Sequence, residues 1–156
     1  MRINSHSVKN TLHLGGLIAR ELLPGDIICL FGDLGSGKTV LTKGIAAGLG
    51  IDEQEVNSPS FVLIREYNQG RIPLYHFDFY RIDAAREISL IGYEEYFYGQ
   101  GVCVVEWAQR LDGLLPPEYL KIELAVKGGT QRSLVFSALG QRYKKILEKI
   151  DAHISR

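Results

Sequence analysis

Gly32-Asp33-Leu34-Gly35-Ser36-Gly37-Lys38-Thr39 meets every fixed position of the phosphate-binding pattern G-x-x-x-x-G-K-[ST]. Each residue type has a mechanical task there. Glycines let the backbone curl until successive N–H groups face inward onto phosphate oxygens, which residues with a Cβ do only under strain. From that cradle the Lys38 ammonium can reach the β- and γ-phosphates, and the Thr39 hydroxyl can ligate Mg²⁺. The loop's other residues, Leu34, Gly35, Ser36 and Gly37, would supply backbone contacts to the nucleotide. The flanks agree with this chemistry. Asp26 to Phe31 is an apolar run of strand length, and from Lys38 to Leu49 the apolar residues Leu41, Ile45, Ala46 and Leu49 fall at helical spacing. Gly50 follows where a helix commonly ends in a left-handed residue. Strand, glycine loop and helix in that order set free amides and partial positive charge beneath an anion.

Three further places can complete a nucleotide-hydrolysing centre. Val102-Cys103-Val104-Val105-Glu106 is an apolar run ending in a carboxylate, as in the strand that delivers an acid to the Mg²⁺ shell of phosphate-loop enzymes. Taken alone, Glu106 could equally mark the end of a strand. In Leu74-Tyr75-His76-Phe77-Asp78-Phe79-Tyr80-Arg81, period-two alternation sets Tyr75, Phe77 and Phe79 on one face and His76, Asp78 and Tyr80 on the other. The first face is expected to be core. The second is a polar ledge, either for a metal-bound or attacking water or as a solvated or hydrogen-bonded outer face. His6, His13 and His153 share no ligand spacing with His76, which argues against zinc. The third place is Asn57-Ser58-Pro59-Ser60-Phe61, a hydroxyl-bearing loop resembling segments that sense a γ-phosphate, although its composition is that of an ordinary turn.

The elements that must carry these residues follow from pattern. Ser7 is a plausible N-cap for a helix through Leu12, Leu17, Ile18 and Leu22, stopped by Pro24-Gly25. Phe61 to Tyr67 and Ile72 to Tyr80 read as strands joined across Asn68-Gln69-Gly70. Ala84 to Tyr98 reads as a helix interrupted at Gly92, and Gly101 to Glu106 as a strand. Tyr119 to Val126 and Ser133 to Ala138 form a second hairpin around Gly128-Gly129, and Gln141 to Ile150 a closing helix. The expectation is a single α/β domain over residues 1–156, a three-layer phosphate-loop NTPase-like fold. Its sheet is mixed, parallel at the nucleotide site and antiparallel elsewhere.

Composition narrows the classes. The 156 residues are 46% hydrophobic with zero formal net charge, enough for a core and without a global reason to bind free nucleic acid. Cys29 and Cys103 lie in separate apolar runs and read as reduced core thiols, which with the absence of an apolar run of roughly 20 residues points to a cytoplasmic, non-membrane protein. From Lys121 to Lys149 basic residues, Arg132, Lys144 and Lys145 among them, outnumber acidic ones. That surplus is either a docking hint for a nucleic acid or an acidic partner, or a solvated helix face.

Taken together, the phosphate loop, Ser58-Pro59-Ser60-Phe61, Tyr75 to Arg81, the Ile91-Gly92-Tyr93 to Tyr96-Phe97 segment and Val105-Glu106-Trp107 closely resemble the TsaE (YjeE) family in order and approximate spacing. The resemblance spans from near Ser7 to Pro116. It implies an ATPase of tRNA threonylcarbamoyladenosine biosynthesis that uses ATP and Mg²⁺ and acts with TsaB and TsaD on adenosine 37, meeting tRNA through that complex. It further implies Lys38 as phosphate ligand, Thr39 and Glu106 as Mg²⁺ ligands, Asp78 in support of hydrolysis, and Ser7, Ser60 and Trp107 near the nucleotide. Ser60 stands where the family usually has threonine; the hydroxyl is kept and the methyl lost.

No arginine is placed by sequence to act in cis, with Arg65, Arg81 and Arg110 as candidates. An arginine finger contributes on the order of 10³ to 10⁵ in rate, so slow turnover alone and activation by a partner are expected. A small-molecule kinase and a non-catalytic docking module stay open as alternatives. A GTPase is disfavoured, because no N-K-x-D sequence occurs.

Overall fold

The computed structural model describes residues 1–156. Its strands are β1 (Arg2–Ser5), β2 (Ile27–Phe31), β3 (Ile64–Tyr67), β4 (Leu74–Asp78), β5 (Val102–Glu106), β6 (Tyr119–Gly128) and β7 (Gln131–Leu139). They form one sheet in the order β1-β7-β6-β2-β5-β4-β3. β6, β2, β5 and β4 pair in parallel, whereas β1 with β7, β7 with β6 and β3 with β4 are antiparallel. The mixed sheet expected from sequence is therefore present, and its parallel part surrounds β2, the strand that feeds the glycine loop.

Helices α1 (Val8–Arg20), α2 (Lys38–Gly48) and α5 (Gln141–Ile154) pack on one face. The short helices α3 (Ala85–Ser89) and α4 (Tyr93–Phe97), with the 3₁₀ segment Ala108–Leu114, cover the other. Residues of β2 divide between the two layers: Ile28 and Leu30 join the α1/α2 core, Ile27 and Cys29 the opposite one. A strand covered on both sides needs apolar residues at every position, which is why these runs do not alternate. The free thiols of Cys29 and Cys103 are buried there, and burial raises both above the ordinary thiol range. No helix is long and apolar enough to cross a membrane.

Several boundaries differ from expectation, each for a local reason. The strand expected from Phe61 begins only at Ile64. Leu63 adopts φ +70° and its N–H bonds to the Pro59 carbonyl at 2.6 Å, closing a turn that leaves Phe61 and Val62 exposed. Its partner ends at Asp78 instead of Tyr80, because the Tyr80 N–H folds back onto Asp78 Oδ1 at 2.9 Å. The irregular helix splits at Gly92, whose φ of +71° suits a residue without a Cβ. β1 has no sequence signature, being four residues held by their pairing with β7.

Two contacts anchor the helices of the α1, α2 and α5 face. Helices α1 and α2 touch backbone to backbone: a Cβ on Gly15 would lie 2.6 Å from the Ile45 amide nitrogen, and one on Gly44 would fall on the Leu12 carbonyl. At the other end of the sheet, Arg142 of α5 grips the buried Asp26 carboxylate through Nε at 3.0 Å and Nη2 at 2.7 Å. Lys149 pairs with Glu21 and Lys121 with Glu123, so part of the basic surplus beyond Lys121 is neutralised within the chain.

Candidate functional site

The carboxyl ends of β2, β4 and β5 meet the N-terminus of α2 at a cavity of about 410 Å³. Open α/β sheets bind ligands at this position because strand ends expose side chains there and helix amides point into the crevice. The glycine loop forms its floor. Gly35 and Gly37 take φ of +78° and +102°, conformations an L side chain resists, which is the physical content of the glycine pattern. Leu34, Gly35, Ser36, Gly37, Lys38 and Thr39 all line the cavity, together with Ser60, Asp78, Glu106 and Trp107.

Lys38 is buried, and its ammonium donates to the carbonyls of Gly32 and Asp33, both at 2.8 Å, and to Ser36 Oγ at 3.3 Å. It also stands 4.3 Å from the centre of the Trp107 ring. Burial holds its pKa below the ordinary lysine range, partly offset by the charges of Glu106, Asp78 and Asp33. Trp107 itself takes φ +56° directly after β5, which turns the ring across the cavity and against Tyr80, 5.1 Å between centroids.

Thr39 and Glu106 are 67 residues apart in sequence and meet through the parallel β2–β5 pairing. The Thr39 hydroxyl donates to Glu106 Oε1 at 2.7 Å. The polar ledge of β4 faces the same way, because Asp78 sits beside Glu106 in the β4–β5 register. The ledge is not an outer face. His76 and Asp78 are 0% and 4% exposed beneath α2, since that side of the sheet is covered as fully as the other. Asp78 accepts the Ser58 hydroxyl on Oδ2 and the Tyr80 N–H on Oδ1, while His76 Nε2 meets Glu106 Oε2.

Ser7 does not reach this cavity. Its hydroxyl caps α1 by accepting the Asn10 N–H at 3.1 Å. Ser60 lines the cavity, but the hydroxyl bonded to Asp78 is that of Ser58. None of the three arginines singled out from sequence lines the cavity. Arg81 lies over the Phe61 ring at 4.0 Å, Arg110 faces Trp107 at 5.6 Å, and Arg65 is on the edge strand β3.

The arginine that does line the cavity is Arg132, one of the basic residues of the C-terminal surplus. Its guanidinium donates to the carbonyls of Gly35 at 3.1 Å, Gly129 at 2.7 Å and Gln131 at 2.9 Å, and no carboxylate pairs with it. Its position follows the hairpin tip at Gly128-Gly129, and that is the only local signal it carried.

A mixed sheet whose central strand opens through a glycine loop into a helix, with an acid at the end of the neighbouring strand, defines a phosphate-loop α/β protein. Comparison with known proteins narrows the class. Residues 5–134 match the model of the family described as threonylcarbamoyl adenosine biosynthesis protein TsaE, and the chain belongs to that family. The chain is 46% identical over 145 residues to the tRNA threonylcarbamoyladenosine biosynthesis protein TsaE of Bacillus subtilis, covering 93% of this chain and 90% of that one. It is 41% identical over 134 residues to the protein of the same name from Treponema pallidum, covering 86% and 98%. The crystal structure of Bacillus subtilis YdiB superposes with a TM-score of 0.84 at 40% identity, over 99% of this chain and 95% of that one.

Proposed function

We propose that this chain is a Mg²⁺-dependent ATPase of tRNA threonylcarbamoyladenosine biosynthesis, acting with TsaB and TsaD in the modification of adenosine 37. The pathway follows from the family. The chemistry rests on one observation: a threonine hydroxyl and a glutamate carboxylate joined at 2.7 Å beside a glycine cradle with positive φ at Gly35 and Gly37.

These residues fit the group they would hold. Both donors are hard oxygens, and no cluster of three or more His, Cys, Asp or Glu cages a metal by itself. That is the donor set of Mg²⁺, which relies on one or two protein oxygens plus phosphates and water. Bound between Thr39 and Glu106, Mg²⁺ would neutralise phosphate charge as a Lewis acid.

The chain's own groups do the rest. Backbone amides of the loop hold the anion, and Lys38, already at the cavity floor, exchanges carbonyl partners for phosphate oxygens. Asp78, fixed by Ser58 and the Tyr80 N–H, orients the attacking water. Arg132 adds a second cation on the loop's flank. Phosphoryl transfer depends mainly on such positioning and electrostatics, and a site whose acid is tied to Ser58 turns over slowly until the 57–63 segment is reordered. Exposed Phe61 and Val62 within that segment, with exposed Leu34 lining the same cavity, offer apolar surface for the partner that reorders it.

The experiment is steady-state ATP hydrolysis with Mg²⁺, alone and with TsaB and TsaD, with Glu106→Ala as control. Slow turnover that rises several-fold with the partners and collapses in the control is expected. Turnover indifferent to partners would remove the assignment of this role, and a phosphorylated small-molecule product would replace it with a kinase.

A further inference from the structure

His76 has no task in that scheme, yet it is completely buried against the acid of the site. In the parallel β4–β5 register His76 lies beside Val104 and Asp78 beside Glu106, so the imidazole stands one step down the same sheet face from the Glu106 carboxylate. Nε2 meets Oε2, and Oε1 is left to the Thr39 hydroxyl. With each oxygen held by a separate donor, the carboxylate's rotation about its last bond is fixed. That terminal torsion is otherwise broad for glutamate.

The other ring nitrogen, Nδ1, is buried without a partner. A carboxylate oxygen accepts, so the ring nitrogen that meets it, Nε2, is the donor, and Nδ1 contributes nothing to the site. The same sheet face is filled by apolar Leu74 and Val104 on either side. A ring with an orphan nitrogen is a costlier filler than either, and its cost is offset only by what Nε2 does.

We propose that His76 is the positioning residue of the cation site, holding the Glu106 carboxylate so that Oε1 faces Thr39 and a divalent ion. This rests on the Mg²⁺–ATP reading of the cavity. Groups that hydrogen-bond a ligating carboxylate change metal affinity by roughly 10- to 100-fold when removed.

The test uses the full chain as wild type, His76→Asn and His76→Gln, with Mn²⁺ as a paramagnetic probe. Free Mn²⁺ is followed by EPR in the presence of ADP, ADP affinity is measured separately in EDTA, and melting curves report folding. The glutamine amide nitrogen reaches the place of Nε2; the asparagine amide stops short of it.

Expected are an Mn²⁺ dissociation constant raised about 10- to 100-fold in His76→Asn, unchanged metal-free ADP affinity, and recovery to within about threefold of wild type in His76→Gln. Wild-type Mn²⁺ affinity in His76→Asn overturns the proposal, as does metal-free ADP affinity falling in step with Mn²⁺ affinity, the mark of a collapsed core. If His76→Asn does not fold, His76→Gln decides by whether it keeps Mn²⁺ affinity. A wild-type protein without ADP-linked Mn²⁺ binding removes the Mg²⁺–ATP reading itself, a result distinct from any difference among the variants.

Discussion

Removing the Arg132 guanidinium separates a nucleotide contact from a structural brace. The side chain is half-buried, carries no carboxylate partner and lies along the glycine loop through Gly35 O. A hydrogen bond to a charged group contributes about 1.5–3 kcal/mol. Solvent on the hairpin side screens the charge and keeps the value near the lower end, about 1.5–2 kcal/mol. At about 1.4 kcal/mol per decade, Arg132→Ala weakens ADP binding roughly 10- to 30-fold. Arg132→Lys falls between, because a point charge cannot hold Gly35 O, Gly129 O and a phosphate together as a planar fork can. Trp107, the sole tryptophan, lines the cavity beside the Lys38 ammonium, so its fluorescence reports ADP titrations directly. ADP affinity within about twofold of wild type, with only the melting temperature lowered, would show that Arg132 braces the hairpin and that the reasoning from its missing counter-charge is wrong.

Thr39→Ala is expected to abolish Mg²⁺-stimulated ATP turnover while Thr39→Ser retains most of it, measured as phosphate release across a Mg²⁺ series. Arg142→Ala leaves the Asp26 carboxylate buried with only the Leu23 N–H, a loss of about 2–3 kcal/mol. Thermal melting then shows a drop of roughly 5–10 °C, and adding Asp26→Asn recovers part of it. Two glycine substitutions move in opposite directions in denaturant titrations. Gly44→Ala drives a methyl onto the Leu12 backbone and destabilises by about 1–3 kcal/mol, whereas at Gly16 a Cβ meets nothing within 4 Å and alanine stabilises by about 0.5–1 kcal/mol.

The phosphate loop, its strand and its helix were legible because their residues are contiguous and each type has one mechanical use. A parallel centre to the sheet followed from the apolar runs of β2 and β5, which only a doubly covered sheet requires, but the order of the strands did not. What sequence could not supply was depth and register. Period two sorts His76 and Asp78 onto a face but does not say that α2 covers it, nor that His76 falls within reach of Glu106 30 residues later. Arg132 contacts Gly35 across 97 residues, a relation fixed by how the β6–β7 hairpin folds over the loop. Leu63 resisted reading for another reason: a bulky residue at positive φ contradicts its own propensity, and its N–H to Pro59 and its carbonyl to the Asp78 N–H hold it there.

The glycine contact between α1 and α2 has a mechanical consequence. Where backbones touch, neither helix can slide along or roll against the other without overlap, so the floor of the cavity is an anvil. If the cavity exchanges nucleotide as proposed, the recoil would fall on the parts not clamped in this way, the exposed turn through Phe61 and Val62 and the strained bend at Trp107. On the proposed reading, a change of bound nucleotide would thus be relayed outward through the rim while the base stays still.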